Sequence, residues 1–286
     1  HKPEAPVGDR FRDIQNAWHA TQFTGYGEAV RLIASKIYGL EELTAGGLDQ
    51  AQTRLTDLRK AGGRYDLLKN EANLDHIQTD DGCWPCLPDR SGLDFFFYDL
   101  SWVGFCNGQI DPEAIEAETS VAVNDLNSLD KAMAAIFAKY ASVAIAVKTQ
   151  HAYSRTLFWE EREQEDASRA LEAVLSKGPE NVPEATRLCL GDWCWAKGVE
   201  LAVEHDLPFK IHTGYYAGND RMPVNRIAAG NMCGLLAKYL DARFVLMHIA
   251  YPYNNELIAI AKHYPNVWVD LCWAWSLNPV ASADFV

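Results

Sequence analysis

Short apolar runs alternating with stretches of helical period set the rhythm of this chain. Residues 93–100, 142–148, 209–214, 244–249 and 267–271 are rich in apolar, β-branched and aromatic side chains and each reads as a buried strand, and the more polar stretch 73–80 reads as a further strand before them. Helical spacing fills the intervals. Val30, Ile33, Ala34, Ile37 and Tyr38 form one stripe that Gly39 can close, and residues 44–61 form another, ended by Gly62-Gly63. Residues 65–71 read as a further turn. Asp111-Pro112-Glu113 opens a helix continuing to Tyr140, with a break near Asn127-Ser128. Residues 159–176 read as a charged, solvated helix beginning Glu160-Glu161-Arg162-Glu163. Residues 183–205, 224–240 and 254–264 are the remaining helices, and residues 1–20 have no clear period.

Apolar strands that alternate with helices imply a parallel sheet covered on both faces. A doubly wound sheet would satisfy this order, but no Gly-rich phosphate loop follows any strand. The expected fold is α/β, a (β/α)8 barrel without its first and last strands, in a chain that looks cut at both ends and stops just after a strand.

Composition narrows the partners. The 286 residues are 48% hydrophobic and carry a net charge of −13, which argues against nucleic acid and anionic membrane as partners but names no substrate. No apolar run approaches the ~20 residues of a membrane helix. The seven cysteines are scattered, as expected of reduced thiols in a cytoplasmic protein. Cys83-Trp84-Pro85-Cys86 has the spacing of a redox pair or half a zinc site. With no second such pair and no strand leading into it, a loop with two ordinary thiols is the expected reading.

The chemistry lies at the carboxyl ends of the strands, the reactive face of parallel barrels. Those ends carry Asp80 and Asp81, Asp99, Lys148, His212, His248 and Asp270. A strand can end in any polar residue as it reaches solvent, and a lone strand-end histidine is commonly structural. Carboxylates, a lysine and two imidazoles gathered at one mouth suit a hard or borderline divalent cation.

The succession of Lys148, Ile211-His212-Thr213-Gly214 and Leu246-Met247-His248-Ile249 resembles the amidohydrolase superfamily, most closely the amidohydrolase-related group bordering the uronate isomerases. Residues 18–27, 37–39, 147–155 and 269–273 share the likeness, which covers nearly the whole chain. It implies one partial barrel domain over 1–286 with a helical insertion over 11–72. It places a His-x-His on the first strand and an Asp on the eighth, both outside this sequence, so the fragment alone is not expected to turn over. His212 then matches a metal ligand, and His248 a second ligand or a proton-shuttling catalytic group. Lys148 matches a lysine that some members carboxylate. The plainer role is binding a substrate carboxylate with help from Tyr153 and Arg155, since Arg suits bidentate carboxylates. Asp270 is a candidate catalytic or histidine-orienting residue, or simply a cap on the next turn.

The resemblance implies a divalent metal ion, zinc foremost, and a metal-dependent hydrolase acting on a small-molecule, carboxylate-bearing substrate, with a homo-oligomer among the expected states. Aldose–ketose isomerisation of sugar acids is the alternative, and a non-catalytic barrel a further one. Tyr215, Tyr216, Tyr251, Tyr253, Trp273 and Trp275 are available to wall a pocket.

Overall fold

Six strands form one parallel sheet in sequential order: β1 (Ile77–Thr79), β2 (Phe96–Ser101), β3 (Ala144–Thr149), β4 (Phe209–Ile211), β5 (Phe244–Leu246) and β6 (Val267–Val269). The sheet curls as half of a barrel. The coordinates are a computed structural model, and it describes residues 5–86, 92, 94–216 and 223–286. Part of the expected loop 82–92 and the first residue of the expected strand 93–100 lie outside the described residues. Contacts divide the chain into two compact units, one of His1–His76, Arg90–Phe95 and Cys272–Val286, the other of Ile77–Asp89 and Phe96–Leu271.

The second unit holds the whole sheet. Register pairs Val147 with Phe209 and Phe209 with Phe244, then Thr149 with Ile211 and Ile211 with Leu246. All six side chains are fully buried on one face. Each such phenylalanine contributes about 1.5–3 kcal/mol by leaving water. The alternate positions pair Ser101 with Lys148, Lys148 with Lys210, Lys210 with Val245 and Val245 with Trp268, so the polar and charged residues share the opposite face.

The helix Leu126–Tyr140 buries Leu129, Met133, Ile136, Phe137 and Tyr140 along one stripe. Its start explains the break in the pattern. Asp125 accepts from the Ser128 backbone N–H at 2.7 Å while the Ser128 hydroxyl accepts from Asp125 N–H at 2.9 Å, a capping box, so Asn127-Ser128 lie inside the helix. The preceding helix, Pro112–Thr119, ends at Ser120 with φ 60°. In Glu184–Glu204, Gly198 lets the Trp102 indole lie flush on the helix, where a methyl group would collide with it, and Trp102 Nε1 donates to the Cys194 carbonyl at 2.9 Å.

Several boundaries depart from expectation. The charged helix begins at Gln164, not near 159, because Trp159 and Arg162 are drawn back to Asp192: Trp159 Nε1 donates to its carbonyl at 3.0 Å and Arg162 binds its carboxylate at 2.8 Å. The stretch 224–240 is two 3-10 turns and only one α-helix, Cys233–Lys238. β5 stops at Leu246 where the expected strand runs to 249, and β6 stops at Val269.

The first unit is helical. Against the expectation of no clear period over 1–20, Val7–Thr21 is a helix with Val7, Phe11, Ile14 and Trp18 at helical spacing, and Gly25–Tyr38 is closed by Gly39 with φ 68°. The stripe over 44–61 is split at Ala51 into Ala45–Gln50 and Gln52–Asp57, and Asp49 Oδ1 accepts from Gly8 N–H at 2.8 Å. Beyond β6 the chain continues as Ala274–Leu277 and Pro279–Phe285, so a strand does not close the sequence. Among the described residues, no helix is long and apolar enough to cross a membrane.

Candidate functional site

His212 stands two residues beyond Lys210, on the same face of β4, one step past its end. Its Nε2 lies 3.1 Å from the Tyr215 carbonyl oxygen, which can only accept, so that nitrogen carries the proton and Nδ1 presents its lone pair. Opposite, 3.1 Å away, is His248 Nε2, and the two rings meet edge to face with centroids 4.7 Å apart. Burial holds both imidazoles neutral, His212 down at about 4 and His248 at about 3; the Lys148 charge adds to both, and His212 adds to His248. Anchoring one imidazole nitrogen on a carbonyl so that the other presents its lone pair is how metal-bound histidines are commonly oriented. Two nitrogens on one tetrahedral zinc ion sit about 3.3 Å apart, given bonds of about 2.0–2.1 Å. The pair therefore fits one divalent ion, with His248 taking its other tautomer.

His248 reaches this position through an unusual backbone. His248, Ile249 and Ala250 have φ of 62°, 48° and 51°, three successive left-handed residues with none of them glycine. Asp270 Oδ1 accepts from His248 N–H at 2.9 Å, and the Asp270 carbonyl accepts from Ile249 N–H at 3.0 Å. Thr213 Oγ1 donates to the Met247 carbonyl. Burial raises the Asp270 carboxyl, opposed by the His248 amide and by Lys210 and Lys148.

Two lysines and two aspartates complete the polar face. Lys210 Nζ donates to Asp99 Oδ2 at 2.6 Å and to Gln78 Oε1 at 3.1 Å. Lys148 Nζ lies 3.8 Å from Asp80 Oδ2, beyond hydrogen-bond reach. Asp80 Oδ2 and Asp99 Oδ1 are buried without a hydrogen-bond partner among the described residues. Desolvation raises the Asp99 carboxyl despite Lys210.

The other expected site residues divide. Tyr153 comes to the histidines, its ring 4.9 Å from His212 and 5.1 Å from Tyr216. Arg155 does not join them as a free carboxylate reader. It is 4% exposed, pairs with Asp192 at 2.6 Å and donates to the carbonyls of Cys106, Thr156 and Phe158, so all three guanidinium nitrogens are engaged inside the fold. Tyr253 turns its hydroxyl to the Val224 carbonyl at 2.8 Å. Cys86 is buried with its thiol pushed up to about 12, and Cys83 is raised too, which opposes thiolate chemistry at that pair. Sequence reasoning missed Lys210, whose spacing of two from His212 carries the signal, and the Tyr215 carbonyl, for which side-chain identity carries none.

Comparison with known proteins agrees with this architecture. The structure is similar to glucuronate isomerase from Caulobacter crescentus, with a TM-score of 0.71 at 13% identity, over 93% of this chain and 61% of that one. It is similar to uronate isomerase from Thermotoga maritima, with a TM-score of 0.71 at 10% identity, over 93% of this chain and 64% of that one. A protein from Lactobacillus casei ATCC 334 designated a metal-dependent hydrolase gives 0.68 at 15% identity, over 99% of this chain and 73% of that one. Among curated sequences, protein fluG of Emericella nidulans is 27% identical over 130 residues, which are 44% of this chain and 14% of that protein. The chain thus spans about one seventh of that relative and under two thirds of either isomerase. Residues 109–286, well over half of the chain, match the amidohydrolase family model, and the chain belongs to the amidohydrolase family.

Proposed function

We propose that this chain carries part of the active site of a metal-dependent hydrolase acting on a small, carboxylate-bearing substrate, with His212 and His248 as ligands of one divalent ion, zinc foremost. The observation that carries the reading is the approach of His248 Nε2 to His212 Nδ1 at 3.1 Å while the Tyr215 carbonyl takes the other His212 nitrogen. When bound, the ion supplies Lewis acidity to a water and to the scissile carbonyl.

The protein's own groups do the rest. His212 and His248, kept neutral by burial, offer lone pairs at physiological pH. Lys148, 3.8 Å from Asp80 and without a hydrogen-bonded counter-ion among the described residues, is the cation offered to a substrate carboxylate, whereas Lys210 is spent on Asp99 and Gln78. Tyr153, its ring tilted against those of His212 and Tyr216, walls the substrate and shields the imidazoles from water.

A second reading is aldose–ketose isomerisation of a sugar acid. It is favoured by the unpartnered oxygens of Asp80 and Asp99, which suit substrate hydroxyl donors, together with the likeness to two uronate isomerases. Incubating the full-length protein, loaded with zinc, with esters, lactones and amides of carboxylic acids on one side and uronates on the other separates the two. Acid release abolished by His212→Ala supports hydrolysis. Ketose formation moves the assignment to isomerisation, and a His212→Ala protein with normal metal content and turnover overturns both.

A further inference from the structure

β4, β5 and β6 keep one register, pairing Lys210 with Val245 with Trp268 and Ile211 with Leu246 with Val269. Carried one residue further, that register aligns His212 with Met247 and Asp270. His248 is therefore one residue out of phase: strict alternation would send its side chain to the buried face shared by Phe244 and Leu246, away from His212. It meets His212 nonetheless, at 3.1 Å. The chain makes this correction where His248, Ile249 and Ala250 adopt φ of 62°, 48° and 51°. Left-handed backbone is unfavourable for residues bearing a Cβ, and most of all for β-branched Ile249, so something must hold it.

We propose that Asp270 is a positioning residue: its carboxylate and its carbonyl clamp the left-handed turn that rotates His248 into phase with His212. Both ends of the clamp are present. Oδ1 takes the His248 N–H at 2.9 Å, the main-chain oxygen takes the Ile249 N–H at 3.0 Å, and Asp270 N–H returns to the Leu246 carbonyl at 3.3 Å. Asp270 reaches the turn because it stands in phase on β6's continuation, where His248 does not. Its oxygen also lies within 4.8 Å of a His248 ring nitrogen, so a direct ligand role is the competing assignment. The positional role needs an acceptor at Oδ1, whereas a ligand or proton-transfer role needs the negative charge. The inference rests on the proposed metal role of the two histidines only for its functional consequence.

Asp270→Asn, Asp270→Ala and Asp270→Ala/Ala250→Gly separate these. Hydrogen exchange of the His248 amide in the metal-free full-length protein reads the clamp, with the Ile249 amide, bonded to a main-chain oxygen that every variant keeps, as internal control. Cobalt(II) titration reads its consequence. The Asn variant is expected to hold His248 protection and cobalt affinity within about threefold of wild type, because its amide oxygen still accepts. The Ala variant is expected to lose His248 protection and about 10–100-fold in cobalt affinity, and Ala250→Gly to restore part of both by removing a Cβ from the left-handed turn. Intact His248 protection in Asp270→Ala overturns the proposal, as does an Asn variant that keeps protection but loses cobalt as severely as Ala. If Asp270→Ala does not fold, the Asn variant and Ala250→Gly alone, expected to leave protection at or above wild type, decide by the same readouts. A wild-type protein that binds no cobalt removes the metal reading while the exchange data still judge the clamp.

Discussion

Lys148 and Lys210 are register partners across β3 and β4, side by side on one face, yet only Lys210 is locked in a hydrogen-bonded ion pair, 2.6 Å from Asp99, while Lys148 stands 3.8 Å from Asp80. Two like charges on neighbouring strands repel. The sheet tolerates them because Asp99 neutralises one from β2 and Asp80 faces the other from the end of β1. The division of labour follows from distance: one ammonium is structural, the other is available.

Removing each lysine therefore has a different consequence. Lys210→Met leaves Asp99, 1% exposed at its side chain, as an uncompensated buried charge and is expected to cost about 3–5 kcal/mol in urea unfolding. Adding Asp99→Leu should recover most of that loss. Lys148→Met also removes the cation facing a buried carboxylate, Asp80, but breaks no hydrogen bond, so it is expected to cost less stability than Lys210→Met and to raise KM for anionic substrates with a smaller change in kcat. Equal stability losses for the two single variants would contradict the assignment.

Arg155 tests the opposite case, a charged residue near the site in sequence but committed elsewhere. With Asp192 held by both Arg155 at 2.6 Å and Arg162 at 2.8 Å, Arg155→Met strands one carboxylate oxygen in the interior. The expected loss is about 3–5 kcal/mol in unfolding, with KM for carboxylate substrates unchanged at temperatures where the variant is folded. A raised KM with unchanged stability would return Arg155 to substrate binding.

The difference between Arg155 and Lys148 marks where sequence stops being informative. The six parallel strands are legible because buried apolar runs have few alternatives, and Lys148, His212 and His248 stand out because each closes such a run. Arg155 lies on a loop, and nothing in its neighbourhood announces Asp192, 37 residues away in the middle of a helix. The helix Val7–Thr21 is legible as well, since Val7, Phe11, Ile14 and Trp18 recur at helical spacing, but that stripe is thin among polar neighbours, and of its four residues only Phe11 is buried. The left-handed turn at 248–250 is invisible for a different reason: His, Ile and Ala are poor signals for positive φ, and the conformation is imposed by Asp270 from another strand.

Burial of three imidazoles makes acid stability a direct readout. His151 is buried and held well below 6.5 by desolvation, with the charge of Arg155 adding to it; His248 is at about 3 and His212 at about 4. In each, the unfolded state binds the proton more readily than the folded one. The stabilisation is complete above pH ~6.5 and drains away as pH falls toward the folded values. Unfolding free energy in EDTA is expected to drop by about 2 kcal/mol for each of His212 and His248 between pH 7 and 5, with His151 adding in the same direction. His151→Gln should flatten that slope, and an unchanged slope would show that His151 takes up its proton as readily in the fold as in the unfolded chain.

Gly214 offers the sharpest test of how the two histidine segments are held together. It has φ 68°, and a methyl group there would run into Ala250 and the Tyr251 carbonyl. That carbonyl accepts from Tyr215 N–H at 2.6 Å, and the Tyr215 carbonyl is the group that fixes the His212 tautomer. Gly214→Ala should therefore act twice. The left-handed conformation alone costs about 1–2 kcal/mol for a residue with a Cβ, and relieving the collision must move Tyr215 away from Tyr251, loosening the carbonyl from His212 Nε2. The expected result is a loss of at least about 2 kcal/mol in unfolding together with a cobalt affinity reduced about tenfold or more. Cobalt affinity held at the wild-type value alongside the stability loss would show that the Tyr215 carbonyl does not govern which His212 nitrogen faces the ion.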